Sequence, residues 1–175
     1  MAQLTLVLGG VRSGKSRWAE DLAATCPPVA YLATAFAGDA EMAQRIRQHQ
    51  QRRPDGWRTV EEPWDVVGAV AAQGTAGCVL VECLSLWLTN LLVGLPDRPG
   101  RSDADIRAEV EALARTAQDV GARVIVVSNE TGCGLMPANA LARRFGDLLG
   151  EANQRLAAAA SEVHALLAGI PLRLK

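Results

Sequence analysis

The run GGVRSGKS, residues 9–16, holds the residue types most directly tied to chemistry. Gly9, Gly14, Lys15 and Ser16 fit the spacing G-x-x-x-x-G-K-[ST], and the loop of Gly10, Val11, Arg12 and Ser13 between them would turn its backbone N–H groups toward an anion. The glycines permit turns and close backbone approach that a side chain would block. Lys15 would reach the β- and γ-phosphates of a nucleoside triphosphate, and the Ser16 hydroxyl would coordinate Mg²⁺. The chemistry implied is the seating of a polyphosphate.

A second constellation lies in RIRQHQQRRP, residues 45–54. On a helix, Arg45 four residues before His49 and Arg52 and Arg53 three and four after it would surround the imidazole with guanidiniums. One reading is an anion site carrying a nucleophile, since nearby positive charge disfavours the imidazolium and keeps the ring neutral. The other is a solvated helix face with one histidine among Gln and Arg. Spacing alone favours the solvated face.

Elements to position these groups are visible as apolar runs of strand length: LTLVL (4–8), VAYLATA (29–35), CVLVEC (78–83) and RVIVVSN (123–129), with helix-like segments between them. That alternation predicts an α/β fold, a mostly parallel sheet flanked by crossover helices. EVHALLAG and IPLRLK, meeting at Gly169, predict short C-terminal antiparallel edge strands. Ligands of such sheets gather at the carboxyl ends of the strands. One rim would therefore carry the phosphate loop, the residues after Ala33, the strand-end acid Glu82, and Asn129 with Glu130. Glu82 reads as a Mg²⁺-organising carboxylate or as a strand-end acid paired with an arginine. Residues 39–63 predict a helix ending at Pro54, with Met42, Ile46 and Gln50 inward, and then loop. LSLWLTNLLVGL, interrupted by Ser85, Thr89 and Asn90, reads as a buried helix; residues 94–103 read as a long loop whose Ser102 or Asp103 caps the next helix. Trp57 and Trp87 read as packing anchors, His164 as a partly buried strand residue, and Arg143 as a rim or helix-cap residue.

At 175 residues the chain is expected to form a single domain, 1–175. A net charge of −1 with intermixed signs offers no broad cationic face, so no nucleic-acid partner is expected. Cys26, Cys78, Cys83 and Cys133 form no C-x-x-C pair, which predicts reduced thiols rather than a zinc clip or disulfide framework. No signal-peptide pattern and no apolar stretch long enough to span a bilayer is visible, so the expected location is cytoplasmic.

Together, GGVRSGKS, RIRQHQQRRPDGWRTVEEP, VECLSLWLTNLL, NETGCGLMPANALARRFGDLLGEANQRLA and GIPLRLK make the chain resemble, nearly end to end, the bifunctional adenosylcobinamide kinase/adenosylcobinamide-phosphate guanylyltransferases of cobalamin assembly. The resemblance implies a P-loop NTPase of RecA-like fold, assembled as a homotrimer. It implies phosphorylation of adenosylcobinamide by ATP or GTP, then transfer of GMP from GTP to adenosylcobinamide phosphate, releasing pyrophosphate. In that family GMP travels on a histidine in the pattern R-I-x-x-H-x-x-x-R-P. The matching residues are Arg45, Ile46, His49, Arg53 and Pro54, so the resemblance reverses the reading from spacing and makes His49 the carrier. Catalysis would fall on His49 and Lys15. Nucleotide contacts would fall on residues 9–16, on Ala33, Thr34 and Ala35, on Gln50, Gln51, Arg52 and Arg53, and on Glu61 and Glu82; Ser16 and Glu82 would hold Mg²⁺. A nucleotide-responsive P-loop binding module or RecA-like ATPase accounts equally for residues 9–16. It leaves His49 and its arginines unexplained, and no N-K-x-D guanine motif is present.

Overall fold

The computed structural model describes residues 3–38, 43, 44, 47, 50, 54 and 56–175. Strand β1 (Gln3–Gly9) enters the sheet almost at once and is followed by helix α1 (Lys15–Ala23). Next come β2 (Val29–Ala33), β3 (Arg58–Glu61), α2 (Val66–Ala72) and β4 (Cys78–Glu82). Helix α3 (Leu84–Val93) leads into a two-stranded antiparallel ribbon, β5 (Gly94–Leu95) and β6 (Arg98–Pro99). Helix α4 (Asp103–Asp119), β7 (Arg123–Asn129), α5 (Ala140–Ala159), β8 (Glu162–Leu167) and β9 (Ile170–Arg173) complete the order.

Seven strands form one sheet in the order β3-β2-β4-β7-β1-β8-β9. Every neighbouring pair is parallel except β8 and β9, joined through a tight turn at Ala168 and Gly169. The expected C-terminal antiparallel edge is therefore present. Period-two alternation sorts side chains between the sheet's two faces. Val79, Val81, Val124 and Val126 join the larger core with Trp87, Leu91, Ile106, Val110, Leu113, Leu149 and Leu156 of α3, α4 and α5. Leu80, Ile125 and Val127 point the other way, toward Ala19 and Ala23 of α1. Burial on both faces explains why the central strands read as unbroken apolar runs.

The helix starts follow local chemistry. Ser102 Oγ accepts from the Asp105 N–H (3.2 Å) to cap α4, and Asn139 Oδ1 accepts from Leu141 and Ala142 to cap α5. Trp87 is fully buried as an anchor, its Nε1 donating to the Trp64 carbonyl (2.7 Å).

Three expectations need correction. Arg58–Glu61, read as loop, is strand β3. It pairs on one side only, with β2, and its mostly exposed, polar residues carry no apolar run. Residues 94–99, also read as loop, fold into the β5–β6 ribbon, where a Cβ on Gly94 would meet the Arg98 carbonyl at 2.5 Å. The second strand stops at Ala33, leaving Thr34 and Ala35 beyond the sheet edge.

Candidate functional site

The phosphate loop bends sharply out of β1. A Cβ at Gly9 would lie 2.4 Å from Ser13 Oγ, and Gly14 has φ +92 with only 3.2 Å to Gly169 Cα, so side chains are excluded at both positions. Gly14 stands at the N-cap of α1, where no side chain caps the helix and no acid occupies the first turn. The N-terminal N–H groups of α1 and the helix dipole are left to attract an anion. The turn of the C-terminal hairpin braces the loop from outside, with Gly169 N–H donating to the Ser13 carbonyl (2.9 Å). Lys15 Nζ folds back on the Gly10 carbonyl (3.2 Å), and Ser16 Oγ donates to Glu82 Oε1 (2.8 Å).

The carboxyl ends of β1, β2, β3, β4 and β7 surround a cleft of about 1020 Å³. Val11 through Ser16, Ala33, Ala35, Gln50, Glu61, Glu82 and Asn129 line it, so the structure brings most of the expected site residues together. Gly9 and Gly10 form the base of the loop. Thr34 takes another place: it is fully buried, its Oγ1 donates to the Cys83 carbonyl and accepts from the Cys83 N–H (both 2.8 Å), and its carbonyl accepts from Asn90. It ties the ends of β2 and β4 together from beneath the cleft.

Gln50 is exposed rather than inward, and its Nε2 donates to Glu61 Oε1 (3.0 Å) at the end of β3. Glu61 is thus a strand-end carboxylate. Met42, Arg45, Ile46, His49, Gln51, Arg52 and Arg53 lie outside the described residues. Arg47, Arg17 and Phe36 also line the cleft and were not singled out in the sequence. Phe36 is 39% exposed, an aromatic ring bare at the cleft wall. The signal for it was weak, one aromatic just past a strand end.

Other candidates make hydrogen bonds and ring contacts within the fold. Asn129 donates through Nδ2 to Ser85 Oγ (2.7 Å), Glu130 Oε1 accepts from the Gly132 N–H, and Arg143 donates to the carbonyls of Pro137 and Ala138. Trp57 packs near Tyr31, with ring centroids 6.3 Å apart. The His164 ring lies against Trp18, tilted by 45° with centroids 4.6 Å apart, and burial holds its pKa below the ordinary value. All four cysteines are free thiols. Burial pushes Cys83, in the cleft wall beside Glu82, up to about 11, and Cys78 up to about 12. No helix among the described residues is long and apolar enough to cross a membrane.

A glycine loop opening onto a bare helix N-terminus, with lysine, serine and a strand-end carboxylate at the rim of a parallel sheet, defines a P-loop nucleotide-binding enzyme. The fold agrees with that of a solved ATPase domain at a TM-score of 0.54 and 13% identity, covering 94% of this chain and 69% of that one. The chain belongs to the cobinamide kinase / cobinamide phosphate guanyltransferase family, whose family model matches residues 5–174. It is 48% identical over 172 residues to the bifunctional adenosylcobalamin biosynthesis protein CobP of Pseudomonas aeruginosa, covering 97% of this chain and 96% of the relative. It is 42% identical over 184 residues to the bifunctional adenosylcobalamin biosynthesis protein CobU of Escherichia coli K12, covering 98% and 99%.

Proposed function

We propose that this chain phosphorylates adenosylcobinamide with ATP or GTP and then transfers GMP from GTP to adenosylcobinamide phosphate through His49, giving adenosylcobinamide-GDP and pyrophosphate. The observation that carries the reading is the cleft itself. In it the phosphate loop faces Arg47 and Gln50, the two described residues that flank His49 in sequence.

In the first step the loop N–H groups and Lys15 seat the triphosphate and neutralise charge developing on the γ-phosphoryl group, which leaves positioning as the main remaining task. The substrate hydroxyl displaces the nucleoside diphosphate. In the second step a neutral imidazole of His49 attacks the α-phosphorus and expels pyrophosphate. The substrate phosphate then takes GMP and frees the ring. One loop serves both if the nucleotide sits in two registers. Arg47 lines the same cleft and supplies positive charge on the segment that carries His49.

Ser16 Oγ and Glu82 Oε1, 2.8 Å apart, form a pair of hard oxygen donors that fits Mg²⁺, which takes few protein ligands and completes its shell with phosphates and water. Held by these two residues, Mg²⁺ would offset negative charge on the polyphosphate. A homotrimer and a cytoplasmic location belong to the same proposal.

The test is incubation with GTP labelled at the α- or the γ-phosphorus. The α-label should remain on the denatured chain and the γ-label should not; the bond should be lost in acid and survive alkali, as a phosphoramidate does. His49→Ala should abolish labelling and GMP transfer yet leave measurable phosphorylation of cobinamide. Labelling that persists in His49→Ala overturns the assignment.

A further inference from the structure

Phosphorylation needs an acceptor that orients the attacking hydroxyl, and none of the described residues given a role above supplies one. Two carboxylates line the cleft among the described residues. Glu82 is bonded to Ser16 beside the phosphate loop, and Glu61 stands on the edge strand β3, with β2 and β4 between it and β7. Neither is a free acceptor next to the loop. Glu130, which follows β7, is turned back onto its own loop through the Gly132 N–H.

Asn129 has the required place. It ends β7, the strand between β1, which carries the phosphate loop, and β4, which carries Glu82; it pairs in register with Gly9 and lines the cleft. Its position is determined from three sides. Its carbonyl accepts from Asn153 Nδ2 (3.1 Å), and Asn153 is itself held through Oδ1 by Ser128 Oγ (2.6 Å). The next residue's N–H donates to the Gly9 carbonyl (3.1 Å). Its side chain donates through Nδ2 to Ser85 Oγ (2.7 Å), and Ser85 is braced by Cys83 Sγ (3.1 Å). With Nδ2 so committed, the carboxamide is held in one orientation, and Oδ1 accepts from no group among the described residues.

We propose that Asn129 Oδ1 accepts the hydrogen of the substrate hydroxyl in the phosphorylation step and aims its oxygen at the γ-phosphorus. This rests on the kinase reaction proposed above. The hydroxyl oxygen forms a bond to the γ-phosphorus as the bond to the β-phosphate bridging oxygen breaks; the nucleoside diphosphate leaves with that electron pair. An amide is too weak a base to remove the proton, which passes late to an oxygen of the transferred phosphoryl group. A loose transition state needs little activation of the nucleophile, so alignment is the contribution an acceptor makes here. The guanylyl step gains nothing from Oδ1: its acceptors are an imidazole and then a phosphate, and a carbonyl oxygen does not attract an anion.

The experiment compares initial rates of cobinamide phosphorylation with rates of GMP transfer to preformed cobinamide phosphate. In Asn129→Ala, kcat for phosphorylation should fall about a hundredfold, the loss expected from a misplaced reactant, while GMP transfer falls at least about tenfold less. Asn129→Asp keeps an acceptor and should retain more kinase activity than the alanine variant. Ser85→Ala leaves Asn129 in place but unpins its amide, so it should lower kinase kcat by a smaller factor. If Asn129→Ala does not fold, the Ser85→Ala split decides. Equal losses in both reactions, or no loss in phosphorylation, overturn the role. If the wild-type chain leaves cobinamide unphosphorylated, the proposed function itself falls.

Discussion

Ser16 Oγ donates to Glu82 Oε1 across 2.8 Å, joining the first turn of α1 to the end of β4 over 66 residues of chain. A phosphate-loop hydroxyl and a strand-end carboxylate meet at the point where the polyphosphate would enter. Either residue alone is ambiguous, and the contact is what makes them one donor pair.

Glu82→Gln preserves size and removes the charge. It should raise the Mg²⁺ concentration needed for half-maximal turnover by about tenfold, with little change in thermal midpoint. A Mg²⁺ titration that overlays the parent's would leave Glu82 with a structural role only.

Much of this arrangement is legible in the sequence. The apolar runs of β1, β2, β4 and β7 are visible because these strands are buried on both faces, and the phosphate loop because Gly9 and Gly14 stand where a Cβ meets close neighbours, Gly14 also at φ +92. β3 is not, since RTVE pairs on one side and faces water. Ser85 and Asn90 read as interruptions of an apolar helix. They are instead buried partners, of Asn129 and of the Thr34 and Pro63 carbonyls. Those bonds span 27 to 56 residues, a separation at which local periodicity carries no signal.

Phe36 offers the cleft an exposed ring, and stacking of a base on an aromatic side chain contributes about 1–3 kcal/mol. Phe36→Ala should therefore weaken GTP binding by roughly five- to 150-fold, read as Kd by equilibrium titration. An unchanged Kd would place the base elsewhere in the cleft.

Thr34 should prove a stability residue. Thr34→Val is nearly isosteric but leaves the buried Cys83 N–H without its acceptor, while the Cys83 carbonyl keeps the Trp87 N–H as a donor. One orphaned donor costs about 1–3 kcal/mol, and Thr34→Ser, which keeps the hydroxyl, should lose less. Denaturant midpoints decide the matter; a valine variant as stable as the serine variant would remove the hydroxyl from the account.

His164 should make folding stability depend on pH in the acid direction. Burial lowers its pKa in the folded chain, and the nearby Arg173 and Arg123 act the same way, while Glu162, with Oε2 3.9 Å from Nε2, pulls against them. Because the folded pKa lies below the unfolded value of about 6.5, the unfolded chain takes up the proton first as pH falls. The contribution of the neutral ring, packed at a tilt against Trp18, is therefore intact above the unfolded pKa and declines as pH drops through it toward the folded value. His164→Phe retains an aromatic ring against Trp18 and cannot titrate. Between pH 7.5 and 5.5 the wild-type denaturant midpoint should fall more than that of His164→Phe, and parallel declines in the two proteins would assign the acid sensitivity to other groups.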